Sequence, residues 1–500
     1  LSEGLPCSSL IDSLICLFFN HQQQSQSAFL HHSTLSCMTQ NSLLLTAVVA
    51  SGATLSGVAS RQKLGFAIQE IVRVEIICSL DGPSGKKFEL WLLQAILCVV
   101  ETGFWSGDKG KMVDAESMAQ SLFRILRRSG AFRRFIDEHP PVIDTDTGEA
   151  LEMKWQQWVE RESLCRLASR AFLFDAHVAF ALLMNPHIRY SEMALPLPST
   201  SDLWEASNAG VWKTIYLSRP TLATPSPHLA LRDCLRNPFV LAKCAPHQDL
   251  RFSLLLLLAA VWAMIWETLH LLAQTDVRPD YSHASLAMRH RDLCEILLAA
   301  RTLVTDHNLS PCPGIILQLD LLKMHPHICI EEADRVLPLV QHWARESTSR
   351  QALWSAGQIL LAARSFPAGT LRGVYALAVH HACVCLWAHT VVSQTIFSVD
   401  GELGLNQYDI TFRTPVILDG APGTAIQQFL ALGDGQPSIT TSSGDAIAQN
   451  CSWAPITDVQ AVVDSFSEVL QQNHNSSASS DDLPFVVQNL VQLMQGLGIA

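Results

Sequence analysis

The most metal-like spacing in the 500 residues is His381, Cys385 and His389, at i, i+4 and i+8 and so on one helical face. Imidazole and thiolate at that interval can chelate zinc. Their neighbours are Ala382, Val384, Leu386 and Trp387, so packing of small thiols and hydrogen-bonded imidazoles is the expected use of the face. A second group, His325, His327 and Cys329, is interrupted by Pro326 and has no fourth ligand nearby. Close Cys-x-x-Cys pairs and paired Cys/His fingers are absent, so the sequence predicts no metal site in this chain.

Catalytic arrangements fare no better. The sequence has no Gly-x-Ser-x-Gly elbow, no His-Glu-x-x-His helix and no Gly-rich phosphate loop ending in Gly-Lys. Carboxylates of the kind that hold magnesium against a diphosphate are poorly placed: Pro279 separates Asp276 from Asp280, and Asp481-Asp482 sits in a Ser-rich stretch. No catalytic and no cofactor-binding residue is assigned. Arg124, Arg127, Arg128, Arg133 and Arg134 form the one basic concentration, at a predicted helix end where cations complement the helix dipole.

The elements that position these residues read as helices throughout. Hydrophobic residues make up 48% of the chain and the mean hydropathy is +0.20, ample for a core. Lys and Arg number 34 against 46 Asp and Glu, a net charge of −12 that argues against a large phosphate-neutralising surface. The 14 Cys are scattered and read as reduced, packed thiols. No secretory signal precedes the first residues, and Leu1 in place of Met suggests a fragment. Phe252 to Trp266 is the longest low-polarity run, about 15 residues where a membrane span needs about 20, so it is expected to be a buried helix.

The pattern predicts a variable segment over 1–40, helices over 41–217, a linker over 218–249, a second helical part over 250–430 and a mobile tail with a terminal helix over 431–500. Loops are expected at 81–85, 139–148 and 366–369, where Pro and Gly cluster. Further helices are read at about 284–304, 331–346, 351–363 and 371–393, and strand signals only at about 409–418. The stretches 433–455 and 471–484 are rich in Gly, Ser, Asn and Asp and read as mobile.

The most informative helix is predicted over 151–184, where Leu164, Leu167, Ala168, Ala171 and Phe172 recur with helical period. Within it, Glu162 and Arg166 form a favourably oriented i, i+4 pair, worth about 0.3–0.5 kcal/mol if exposed. Asp175 lies among apolar neighbours and is expected to accept a structural hydrogen bond.

The string from Trp155 to Ala176, WQQWVERESLCRLASRAFLFDA, resembles the signature helix of the fungal-specific transcription factor domain, or middle homology region. Trp155, Trp158, Glu162, Arg166, Leu167, Phe172 and Asp175 fit its places, while Leu164 and Cys165 replace its usual basic residues. The segment Tyr190 to Ala206, including Leu203 and Trp204, is similar to the family's continuation. Met288 to Arg301 and Leu353 to Ala388 resemble the carboxy-terminal helices of the branch with two-Cys-two-His zinc fingers upstream.

That resemblance implies an irregular all-α multi-helix bundle that is not an enzyme. It implies a nuclear regulator of RNA polymerase II transcription, with zinc and DNA bound only by a module missing from this chain, expected upstream of Leu1. The signature residues are then structural. Expected partners are transcription machinery or co-regulator proteins, a small-molecule effector and a second copy of the chain, with no membrane. An all-helical biosynthetic enzyme and a finger-less interaction scaffold are the alternatives.

Overall fold

A computed structural model describes residues 7–35, 42–80, 89–134, 142–219, 229–275, 283–307, 309, 312–325, 347–401, 414–441, 452–474 and 483–499. They divide into two units, Leu1–Ala263 and Met264–Ala500. The all-α expectation holds, with one small sheet in the second unit.

In the first unit, helix α1 (Ser8–Gln24) packs on α3 (Ser42–Thr54), which in turn packs on α4 (Ala59–Leu80) and α5 (Leu90–Phe104). Helix α2 is the single turn His32–Leu35. Gly52 permits the α1–α3 approach, because a Cβ there would lie 2.0 Å from the Leu14 carbonyl oxygen. Helix α6 (Lys109–Ser129) starts where the Asp108 side chain accepts the Lys111 N–H at 2.9 Å and stops at Gly130, whose φ of 78° suits glycine.

The signature helix α7 (Gly148–Ala181) is buried over most of its second half. Short helices α8 (Ser201–Trp204), α9 (Ala209–Leu217), α10 (Leu231–Arg236) and α11 (Val240–Cys244) follow, so the expected linker over 218–249 carries ordered helix at its end. Helix α12 (Leu250–Thr275) begins in this unit. Leu250–Leu271 and Val374–Gln394 are long and apolar enough to cross a membrane, but the first is almost wholly buried within the protein, as a core helix is.

The second unit holds α13 (His283–Asp306), α14 (Pro313–Met324), α15 (Ser347–Arg364) and α16 (Val374–Gly401). Helix α14 shows no helical period in the sequence because its Leu- and Ile-rich residues lie nearly all round it; Pro313 at its first turn is its one start signal. Strand β1 (Pro415–Ile417) pairs in parallel with β2 (Gln436–Thr441), and β2 pairs antiparallel with β3 (Ser452–Pro455); helix α17 (Thr424–Leu432) connects β1 to β2.

Strand β1 falls within the expected 409–418, but β2 and β3 add strands within 433–455, a stretch whose composition reads as mobile loop. Cross-strand hydrogen bonds satisfy backbone that composition alone marks as loop. Helix α18 (Val459–His474) and helix α19 (Phe485–Ile499) pack together at the end of the unit. The loops expected at 81–85 and 139–141, the helix at 331–346 and the aspartates 276, 280, 481 and 482 lie outside the described residues.

Candidate functional site

The densest polar arrangement in the first unit is built on the second half of α7. Arg166 is 1% exposed, and its Nε donates to Glu162 Oε1 at 2.8 Å. Its Nη1 donates to the Ala28 carbonyl at 3.0 Å, and its Nη2 to the Ser199 carbonyl at 2.5 Å, with Asp249 Oδ2 at 3.6 Å. The guanidinium carbon sits 4.6 Å from the centre of the Trp204 ring. One side chain thus ties α7 to the chain after α1, to the segment before α8 and to the start of α12.

Glu162 completes the tie from the other side. Its Oε1 accepts the Ser199 N–H at 2.8 Å and its Oε2 accepts the Ser199 hydroxyl at 3.0 Å. Burial pushes the Glu162 carboxyl up, against the pull of Arg166 and both Ser199 donors, and burial also raises Asp249. The strapped segment is extended: Pro196 bridges Ala230 and Ser199 bridges Gln248, while the Leu197 N–H donates to Leu229 and the Asp249 N–H to Pro198.

Around this centre lie the other sequence-predicted residues. Trp155, Leu203 and Trp212 share one buried cluster, with Trp158 packed against it 5.6 Å from the Trp212 ring. His31 fits edge-on between Trp204 at 4.9 Å and Trp155 at 5.9 Å, and burial lowers its imidazole to about 4. Leu167 and Phe172 are core residues at 0% and 1% exposure. Asp175 lies one face further on, where it accepts the Ile188 N–H at 2.6 Å and meets His187 Nδ1 at 3.2 Å. That contact holds the His187 imidazole above its usual range.

Several members were invisible in the sequence. Ser199, Ala28 and Asp249 contribute through position rather than through a motif, and the tract HQQQSQS, His21 to Ser27 in the variable segment, has by composition no packing face. Its glutamines instead finish α1, and Gln22 Oε1 accepts the Phe29 and Leu30 N–H groups at 2.8 and 3.2 Å, shaping the turn that offers Ala28 to Arg166. Arg170, one turn beyond Arg166, donates to both Glu101 oxygens at 2.6 and 3.1 Å and to the Ser27 hydroxyl. The arrangement spends its hydrogen bonds on backbone and on fixed partners, so what it can do is hold segments in register.

The His/Cys face of α16 is placed quite differently. Cys383 and Cys385 are buried, and burial pushes the Cys383 thiol up to about 12 and Cys385 higher still, as for thiols packed among apolar neighbours. The His381 ring lies 5.5 Å from His325 and 5.9 Å from His380. Among the described residues no three His, Cys, Asp or Glu side chains are grouped to hold a metal ion. His327 and Cys329 lie outside the described residues. Of the basic concentration, Arg127 is engaged, donating to both Glu192 oxygens at 2.6 and 3.1 Å and to the His187 carbonyl at 3.0 Å.

The family model described as the fungal specific transcription factor domain matches residues 15–276, a stretch containing the whole Arg166 arrangement. Transcription factor PfmaH of Pestalotiopsis fici is 22% identical over 384 residues, 70% of this chain and 39% of that protein. A transcription factor of Zymoseptoria tritici is 21% identical over 480 residues, 85% of this chain and 47% of its own length. Zinc finger protein klf1 of Schizosaccharomyces pombe is 26% identical over 191 residues, 37% of this chain and 24% of that protein. The chain thus spans less than half the length of these relatives. No solved structure matches it. With the family model covering more than half of the residues, the chain belongs to the fungal specific transcription factor domain family.

Proposed function

We propose that this chain is the regulatory part of a fungal transcription factor, acting in the nucleus on genes read by RNA polymerase II and performing no chemistry of its own. The observation that carries the proposal is the family match over residues 15–276, which coincides with an arrangement whose polar capacity holds segments together. Promoter contact belongs, in this proposal, to a zinc-binding module outside these residues; one matched relative is named a zinc finger protein. The acidic balance of −12 suits a chain that leaves DNA to another module. Transcription machinery or co-regulators are the proposed macromolecular partners, and a small molecule the proposed effector.

The residues Trp155, Trp158, Glu162, Arg166, Leu167, Phe172, Asp175, Leu203 and Trp204 are assigned a structural role in keeping that regulatory surface in one conformation. Fusing the 500 residues to a heterologous DNA-binding domain tests the proposal in a fungal host. Reporter transcription is expected to change relative to the DNA-binding domain alone. An unchanged reporter, with the fusion present in the nucleus at equal amount, would remove the regulatory assignment.

A further inference from the structure

Helix α4 buries one face and leaves the opposite one bare. Gln62, Gly65, Gln69, Val72 and Ile76 turn inward. Directly opposite, Leu64, Ala67, Ile71, Val74 and Cys78 follow one another at intervals of three and four, the a/d spacing of a coiled-coil seam. Leu64 is half-buried, but Ala67 and Cys78 are exposed, Ile71 is 69% exposed and Val74 49%. An apolar stripe of this regularity on 22 residues, about 33 Å of helix, is what a second helix of the same pitch covers.

The flanking charges identify that second helix. One flank of the stripe carries Arg61, Ile68 and Glu75, each seven residues from the next. In an antiparallel pair of identical helices each flank faces itself in reverse, so Arg61 meets Glu75 of the other copy twice and Ile68 meets Ile68. On the opposite flank Lys63, Glu70 and Ile77 face themselves, and Glu70 arrives with its charge already matched by Arg73 at 2.6 Å. A parallel pair would set Glu70 against Glu75 on both sides and leave Arg61 without an acidic residue opposite it. Two chains of charge −12 repel at long range, so contact between them has to be made where charge is locally matched, and this flank is such a place.

We propose that α4 is a homodimer surface, on which two copies of this chain pair antiparallel through Ala67, Ile71 and Val74, with reciprocal Arg61–Glu75 bridges setting the register. The surface is distinct from the α7 arrangement and does not depend on the regulatory assignment.

Sedimentation velocity of the whole chain over a concentration series is the test. The mass is expected to rise from 55.1 kDa toward twice that value. Ile71→Asp is expected to stay monomeric at every concentration. Arg61→Glu and Glu75→Arg each replace two attractions by two repulsions and are expected to raise the dimer Kd about ten-fold, while the double reversal R61E/E75R restores it. All three residues are at the surface, and an unchanged far-UV circular dichroism spectrum confirms that each variant folds. A wild-type chain that remains at 55.1 kDa throughout overturns the proposal, as does a double reversal no better than its single changes; a heterologous partner would then be the occupant of the stripe.

Discussion

Each unit contains an arginine that straps a distant non-helical segment to a helix, and the two differ in what surrounds them. In the first, Arg166 is wholly buried and its carboxylate partner Glu162 is four residues away on the same helix. In the second, Arg364 ends α15 half-exposed and reaches Asp419, 55 residues on, at 2.5 Å. Asp419 is buried and accepts the Thr440 N–H at 3.0 Å, and Arg364 also donates to the Thr440 hydroxyl and carbonyl at 2.7 and 2.8 Å. Gln358, six residues before Arg364 on the same helix, donates to the Leu418 and Gly420 carbonyls at 3.0 Å each. Both arginines strap a non-helical segment to a helix.

What the difference teaches concerns solvent. A guanidinium taken fully out of water needs every donor matched, and losing one partner strands a charge. A guanidinium that keeps part of its hydration loses less when a partner goes. The depth of each arginine should therefore rank the effects of changing it.

The largest effect is expected for Arg166→Met, which leaves Glu162 buried with only Ser199 to face. Destabilisation by about 3–5 kcal/mol, read by denaturant unfolding, is the expected outcome. A cost below about 1 kcal/mol would break the comparison, because the two arginines would then be equivalent.

Acid should act on both units and so sharpen which features are shared. Burial lowers His31 in the first unit and His325 and His474 in the second, each to about 4. The unfolded chain, with histidines near about 6.5, takes up protons first as pH falls, so stability is full above about pH 6.5 and declines toward pH 4. Each histidine contributes about 3 kcal/mol to that decline by the bottom of the window. Thermal melts at pH 7 and pH 5 check it, and equal melting temperatures would contradict the burial of these rings. His187 runs the other way: raised by Asp175, it adds stability at low pH that is lost as pH climbs through its folded value.

The smallest effect is expected for Arg364→Ala. Asp419 keeps the Thr440 N–H and hydroxyl, as Glu162 keeps those of Ser199, but water can take the place that the part-exposed Arg364 side chain leaves, so the cost should be about 1–2 kcal/mol by the same unfolding measurement. A cost as large as that of Arg166→Met would show that exposure does not set the ranking.

These contrasts follow from where sequence information lies. The pair Glu162 and Arg166, the stripe through Leu167 and Phe172 and the need of Asp175 for a donor were legible because one helical turn brings their positions together. Helix α7 was placed to within three residues at each end for the same reason. Ser199, Ala28 and Asp249 were not legible, since a backbone carbonyl carries no residue-specific signal. Helix α14 is hidden where burial on all sides erases its period, and of the small sheet only β1 is legible, because β2 and β3 are fixed by pairing across loops.

The residues alone determined the fold class, the position of the signature helix and its resemblance to a fungal regulatory domain, since periodicity and residue order are local properties of the chain. The tertiary structure decided that Arg166 is buried and which segments it gathers, that the histidines and thiols of α16 are packed rather than grouped for a metal, and that one face of α4 is left bare. Each of these depends on which surfaces lose their water, and that is settled only when segments distant along the chain come into contact.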